Sequence, residues 1–359
     1  MRRPRIALVG FSLDIVGGQG VQAAALISAL RRDGYAVRFV PFNPRLPRLI
    51  RGVRRYRYVR TVLNQAFYLP SLHRLRDADV MHVFSASYWS FVLATAPAIV
   101  VARSLGKRIV LHYHSGEADD HLARWGRWVH PWLSLVDEIV VPSEYLRGVF
   151  ARYGYPVRVI RNVVDTASFR YRERPSLRPR LLSARNLEPH YRVDNTLEAF
   201  GLLRGRYPDA TLTVAGSGSE EPRLRRMADS LGAGAVDFAG RVEPAAMAGL
   251  YDRAEIFVNS SVIDNQPVSV LEAFAAGLPV VSTATGDLAA MVRDGETGLV
   301  VPPDDPAALA KAVAALLDDP ERARLMTLRA RDEVGRYTWP QVREAWAAVY
   351  AGSRGRYQT

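Results

Sequence analysis

Two carboxylates eight residues apart, Asp264 and Glu272, are the side chains most suited to chemistry. Asp264 falls in a loop, and Glu272 about a turn and a half into the helix expected next. A helix start carries free N–H groups and about half a positive charge, so it suits a phosphate. A carboxylate has only acceptors to offer, which suits the vicinal hydroxyls of a sugar. The inference is a site for a sugar and a phosphate together.

The elements that must position these groups are short. Ile256-Phe257-Val258 is an apolar run of the kind that forms a buried strand, and Val280-Val281-Ser282 is a second one. Between them Asn265 can cap a helix and Pro267 fits its first turn, while Val268, Leu271 and Ala275, with Val270 and Phe274, repeat at helical spacing. Gly277 stands where a left-handed C-terminal residue is wanted. Such a strand, loop, helix, strand unit puts its loop at the carboxyl ends of parallel strands, the crevice where open α/β sheets bind ligands.

Asp264-x7-Glu272 followed by Ala273-Phe274-Ala275-Ala276-Gly277-Leu278-Pro279-Val280 resembles the acidic-x7-Glu, EA-[MF]-A-x-G-x-P-V signature of retaining GT-B glycosyltransferases of family 4. That family usually has Glu where this chain has Asp264. The resemblance extends over nearly the whole chain. It implies two Rossmann-like, doubly wound α/β domains facing a cleft, with the nucleotide-sugar donor in the second, the acceptor in the first, and a C-terminal helix crossing back to the first.

The resemblance also carries site residues. Arg185 matches the arginine that clamps the donor diphosphate, but the family's Lys-Gly after a short loop is missing, and Arg192 is the available cation. The Gly216-x-Gly218 turn after the strand Ala210 to Val214 matches the family's V-x-G-x-G, and Val242 falls in the segment that cradles the nucleobase. Gln266, Val268 and Ser269 belong to the donor loop and helix start. Glu272 is implied for the ribose diol and Asp264 for the donor sugar. Asp287 and Ala290 depart from the usual Gly-Gly-x-Pro-Glu, which puts the donor contacts there in doubt.

In the first half, Ile6 to Val9 reads as a buried strand, followed by a loop from Asp14 through Gly17 and Gly18 to Gly20. Those glycines let backbone approach a ligand, but they lack the GxGxxG order of a dinucleotide site. In the family the matching loop lies near the diphosphate and the acceptor. Strand Arg108 to Tyr113 delivers His112 and His114 with the same facing. His-x-His on a strand can bind metal, yet no further ligand set follows. By resemblance His114 sits beside the transferred sugar, and Glu117, Asp119 and Asp120 can line the acceptor side.

From Arg45 to Arg60 seven arginines interleave with Leu46, Leu49, Ile50 and Val53 at helical spacing, a basic amphipathic pattern. Near an anionic leaflet each arginine contributes about 1 kcal/mol at best. This stretch is the candidate contact with an anionic membrane surface.

Composition bounds the rest. At 359 residues the chain suits two domains. With no cysteine, disulfides and thiolate metal sites are excluded, and a cytoplasmic protein is expected. The net charge of +12 comes from arginine, since Lys107 and Lys311 are the only lysines, and no nucleic-acid motif accompanies it. The longest apolar stretch, Tyr88 to Ala102, falls short of the roughly 20 residues of a membrane span.

The expected organisation is an acceptor domain over 1–165, a linker rich in Pro and Arg over 166–179, a donor domain over 180–336 and a returning helix over 337–359. The expected activity is retaining, metal-independent transfer from a UDP- or GDP-linked sugar to a glycan or lipid-linked acceptor, with no cofactor. The alternatives are a non-catalytic binding protein of the same fold, or a nucleotide-sugar epimerase or phosphorylase.

Overall fold

The computed structural model describes residues 3–13, 17–44, 57–85 and 87–352. The Asp14 end of the glycine-rich loop and the basic stretch 45–56 lie outside the described residues. The chain divides into two units: one holds residues 1–163 with 342–359, the other 164–341.

In the first unit the apolar runs become a parallel sheet: β1 (Ile6–Gly10), β2 (Val37–Pro41), β3 (Val80–Ser85), β4 (Arg108–Tyr113), β5 (Glu138–Val141) and β6 (Arg158–Val159), in the order β2-β1-β3-β4-β5-β6. β1, β3 and β5 are buried along their whole length, as expected when helices cover both faces of a sheet. Those helices are α1 (Gly18–Arg32), α2 (Arg57–Ser71), α3 (Tyr88–Ser90), α4 (Ala96–Ser104), α5 (Ala118–Leu133) and α6 (Glu144–Arg152). Tyr88 to Ala102, the longest apolar stretch, breaks into α3, a π turn and α4. Ser143 caps α6 by accepting a hydrogen bond from the Leu146 amide at 3.2 Å.

The second unit repeats the plan with β7 (Arg180–Ala184), α7 (Val193–Arg204), β8 (Thr211–Ala215), α8 (Glu221–Asp229), β9 (Val236–Gly240), α9 (Pro244–Arg253), β10 (Ile256–Asn259), α10 (Val268–Ala275), β11 (Val280–Thr283), α11 (Leu288–Met291), β12 (Leu299–Val301), α12 (Pro306–Asp318) and α13 (Pro320–Val334). Its strand order β12-β11-β10-β7-β8-β9 is, counted within the unit, 6-5-4-1-2-3, and the pairs are parallel. This is the doubly wound dinucleotide-type order, and it reverses between β7 and β10. α10 buries Val270, Leu271, Ala273 and Phe274 completely against that sheet. Each large side chain there contributes about 1.5–3 kcal/mol, and Phe274→Ala is the single change expected to unseat the helix.

The last helix, α14 (Trp339–Ala351), returns to the first unit. Trp346 and Tyr350 are buried, and the Tyr350 hydroxyl meets His82 Nδ1 at 2.8 Å. Arg108 donates to the Val349 carbonyl at 3.0 Å while pairing with buried Glu138, which also holds Arg158.

The stretch over 166–179 is more than a spacer. Arg174 is buried to 3% exposure, and its guanidinium donates to the carbonyls of Tyr251, Ala254, Ala276 and Gly277. It thereby ties the chain entering β7 to the C-terminal ends of α9 and α10, where carbonyls lack intrahelical partners.

Candidate active site

The reversal of strand order in the second unit brings the loops after β7 and β10 side by side. Arg185 directly follows β7, and Asp264 lies in the loop between β10 and α10. Their side chains form a hydrogen-bonded ion pair, Arg185 Nη2 to Asp264 Oδ2, with only 9% and 11% of the side chains exposed. Arg185 Nη1 donates to Ser269 Oγ at 3.2 Å, and the guanidinium lies 4.3 Å from the ring centre of Tyr191. Arg185 Nε is buried with no acceptor among the described residues.

Glycines fix both loops. A Cβ on Gly216 would stand 1.9 Å from the Arg185 carbonyl oxygen, and one on Gly218 would stand 2.2 Å from that of Leu187. The Gly-x-Gly turn after β8 therefore serves close backbone packing on the arginine loop. On the other side, a Cβ on Gly286 would stand 2.0 Å from the Asp264 carbonyl oxygen. Thr285 Oγ1 donates to the Val262 carbonyl at 2.8 Å and stitches the same two segments together.

The helix start differs from the sequence expectation in one respect. Asn265 does not cap α10; Pro267 itself occupies the cap position, with extended backbone (φ −69°, ψ 122°), and Val268 is the first helical residue. Gln266 is buried and donates to Asp287 Oδ2 at 3.0 Å, so the acidic residue that departs from the family pattern has a local partner. Val242 packs half-buried against the apolar cluster beneath α10.

Glu272 lies on the fifth residue of α10. Its Oε2 accepts from the Tyr251 hydroxyl at 2.8 Å, and that hydroxyl also lies 3.1 Å from the Ser269 carbonyl oxygen. Burial pushes the Glu272 carboxyl up to about 7, and the tyrosine bond offsets part of that rise. Burial and the neighbouring carboxylate raise Tyr251 well above its usual value, so it stays a donor. Nothing in the spacing of Tyr251 marks it from sequence, because the fold brings it to Glu272 across a crossover.

Arg192 departs from its expected place as a free cation. Its backbone is left-handed (φ 47°, ψ 45°) at the cap of α7, a conformation that favours glycine. Its guanidinium is engaged by Asp194 at 3.1 Å, by Asn195 at 2.9 Å and by Asp304. A phosphate reaching it would have to displace a carboxylate.

The first unit holds the remaining predicted residues. Gly17 caps α1 with extended backbone, and Gly18 already begins the helix. Gln19 ties that turn to the end of β3 through the Ser85 carbonyl at 3.0 Å. His114 follows β4, its ring stacked on Phe84 with centres 5.1 Å apart and 4.0 Å from the ring of His112, the shared facing the alternation predicted. Burial holds His114 and His82 down to about 3 and His112 lower than usual as well, so all three are neutral imidazoles. Among the described residues no group of three His, Asp or Glu side chains comes together as a metal site.

Two family models divide the chain between them: Glycosyltransferase Family 4 over residues 16–168 and Glycosyl transferases group 1 over 166–333. Glycogen synthase of Mycobacterium tuberculosis H37Rv is 32% identical over 300 residues, covering 78% of this chain and 70% of the relative. The chain belongs to the group 1, family 4 glycosyltransferases. The phosphatidyl-myo-inositol mannosyltransferase of Mycobacterium leprae is 28% identical to this glycosyltransferase over 95% of the chain and 94% of its own length. Among solved structures, Anabaena HepE in complex with UDP-glucose superposes on the enzyme with a TM-score of 0.76 at 14% identity, over 97% of this chain and 99% of that one. The fold is GT-B.

Proposed function

We propose that this glycosyltransferase moves a sugar from a UDP- or GDP-linked donor to a glycan or lipid-linked acceptor, with retention of anomeric configuration and no metal or other cofactor. The observation that carries this reading is Arg185: a buried guanidinium at the switch point of a doubly wound sheet, gripped on two sides, with one N–H that meets no acceptor among the described residues.

In the reaction the bond between the anomeric carbon and the phosphate oxygen breaks and one to the acceptor hydroxyl forms, that hydroxyl's proton leaving with the nucleoside diphosphate. Arg185 and the first-turn amides of α10, at Val268 and Ser269, stabilise charge on the departing diphosphate. Glu272 accepts the ribose diol and Asp264 the donor sugar hydroxyls. His114, as a neutral imidazole, offers a hydrogen bond to the sugar rather than a charge. Gly17 and Gly18 keep the α1 entrance open to the acceptor.

The relatives named glycogen synthase and phosphatidyl-myo-inositol mannosyltransferase support a bacterial polysaccharide or glycolipid product. Among the described residues no helix is long and apolar enough to cross a membrane. The reading includes a cytoplasmic enzyme that attaches reversibly to the inner membrane through the basic pattern of Arg45 to Arg60. Sedimentation with anionic but not with neutral vesicles tests that attachment, and equal partition removes it.

The test of the whole reading is a donor screen with UDP-, GDP-, ADP- and dTDP-sugars, with and without EDTA. Stabilisation and EDTA-resistant diphosphate release by one donor, both lost in Glu272→Ala, are expected. No response to any donor overturns it, and the anomeric proton coupling of the product tests retention.

A further inference from the structure

We infer that Tyr191 is the positioning residue of Arg185: its ring face, in place of a second cation, sets the plane of the guanidinium against the donor diphosphate. The inference rests on the donor site proposed above. Three groups define where the guanidinium lies. Asp264 and Ser269 take its two terminal nitrogens, and the Tyr191 ring lies beneath it, with Cζ 4.3 Å from the ring centre.

Two in-plane hydrogen bonds leave a planar group free to tilt about the line joining them, and a ring against one face removes that freedom. The ring also holds the cation without neutralising it, because the negative face of an aromatic quadrupole attracts charge while keeping the formal +1 for a phosphate. A second carboxylate in its place, beside Asp264, would outweigh that charge.

Tyr191 is itself fixed. It ends a tight 3-10 turn, Pro189–Tyr191, in which its amide donates to the Glu188 carbonyl at 3.0 Å, and it packs half-buried against the core of the second unit. Glu188 in turn accepts from the Ser219 amide at 3.2 Å, so the loop is tied to the Gly216–Gly218 turn that packs on the backbone of Arg185 and Leu187. The next residue, Arg192, has its guanidinium engaged by Asp194, Asn195 and Asp304. The loop therefore presents one cation to a phosphate and one aromatic ring that aims it.

The experiment is calorimetric titration of wild type, Tyr191→Phe and Tyr191→Leu with UDP, GDP and ADP and with the matching monophosphates. Wild type is expected to bind one diphosphate more tightly than its monophosphate. Tyr191→Phe keeps that gap, and Tyr191→Leu narrows it by about tenfold with monophosphate affinity unchanged. Unchanged monophosphate affinity also reports that the loop still folds. An intact gap in Tyr191→Leu, or equal weakening of both ligands, overturns the inference; so does an equal loss in Tyr191→Phe, which would assign the work to the hydroxyl. Failure of wild type to bind any of the diphosphates overturns instead the donor site on which the inference stands.

Discussion

The Tyr251 hydroxyl donates to Glu272 Oε2 at 2.8 Å, onto a carboxyl that burial pushes up to about 7. The sign of the consequence is fixed by that direction. Between the ordinary value of 4.5 and about 7 the folded protein keeps a proton that the unfolded chain has lost, so stability falls as pH rises through this window and is flat above it. The full effect is at most about 3 kcal/mol. Glu272→Gln removes it: relative to wild type, the variant gains stability from pH 5 to pH 8 in denaturant titrations. A ribose diol donating to the carboxylate favours its ionised form, so nucleotide affinity should rise through the same window in wild type and stay level in the variant. Parallel pH profiles for the two proteins would sink the assignment.

Arg174 makes a second prediction, about stability alone. Burial lowers its pKa to about 10, so it remains charged at neutral pH, with Glu255 3.5 Å away and five backbone carbonyls on its donors. Arg174→Ala orphans those carbonyls and should cost about 3–5 kcal/mol. Arg174→Lys should recover little, since one ammonium cannot reach two helix ends. A shift of the urea midpoint worth under ~1 kcal/mol would show that water replaces the guanidinium without penalty.

These two residues mark the limit of what sequence reveals here. Strands such as Arg108 to Tyr113 and the site carboxylates were legible because buried parallel strands are continuous apolar runs and because α10 repeats its apolar positions at helical spacing. The glycines at 216 and 218 were legible as a turn matching the family pattern, but the segments they meet at Arg185 and Leu187, and the close approach of Gly286 to Asp264, appear only when the sheet is assembled. Asn265 looked like a cap because its type favours one, whereas the extended backbone of Pro267 moves the helix start two residues on. Arg174 sits in a stretch with no periodicity, and its partners are carbonyls, which carry no sequence signal at all. Tyr251 is 21 residues from the carboxyl it serves, across a strand.

Arg192 separates a bracing cation from a ligand-facing one. It joins Asp194 at the start of α7 to Asp304 ahead of α12, at about one-third side-chain exposure, from a left-handed backbone. Arg192→Ala should lower stability by about 1–2 kcal/mol, because two ion pairs and the hydrogen bond to Asn195 are lost while the backbone strain stays. Arg192→Gly relieves the backbone and should recover part of that loss. Arg185→Ala, by contrast, should read chiefly in diphosphate affinity. Arg192→Ala weakening diphosphate binding as severely as Arg185→Ala would return Arg192 to the role the sequence suggested.

Asp264 gives a prediction in which two readouts move in opposite directions. Its Oδ2 compensates the charge of Arg185, while its Oδ1 accepts from the Asn265 amide at 2.9 Å and holds the loop. Asp264→Asn keeps the shape and that loop bond but leaves the guanidinium charge uncompensated at about 10% exposure. Removing a unit charge a few ångströms from the phosphate site is worth on the order of 1–3 kcal/mol at the effective dielectric of a partly buried site. Nucleoside diphosphate should therefore bind about tenfold more tightly to the variant. Sugar transfer should fall by at least about tenfold, because the donor sugar hydroxyls lose a charged acceptor. Asp264→Glu, the family's usual residue, should restore transfer without the gain in diphosphate affinity. Titration calorimetry with the diphosphate and initial rates with the intact donor decide it: both falling together in Asp264→Asn would mean that the pair acts as a scaffold, and that Asp264 neither tempers the arginine nor meets the sugar.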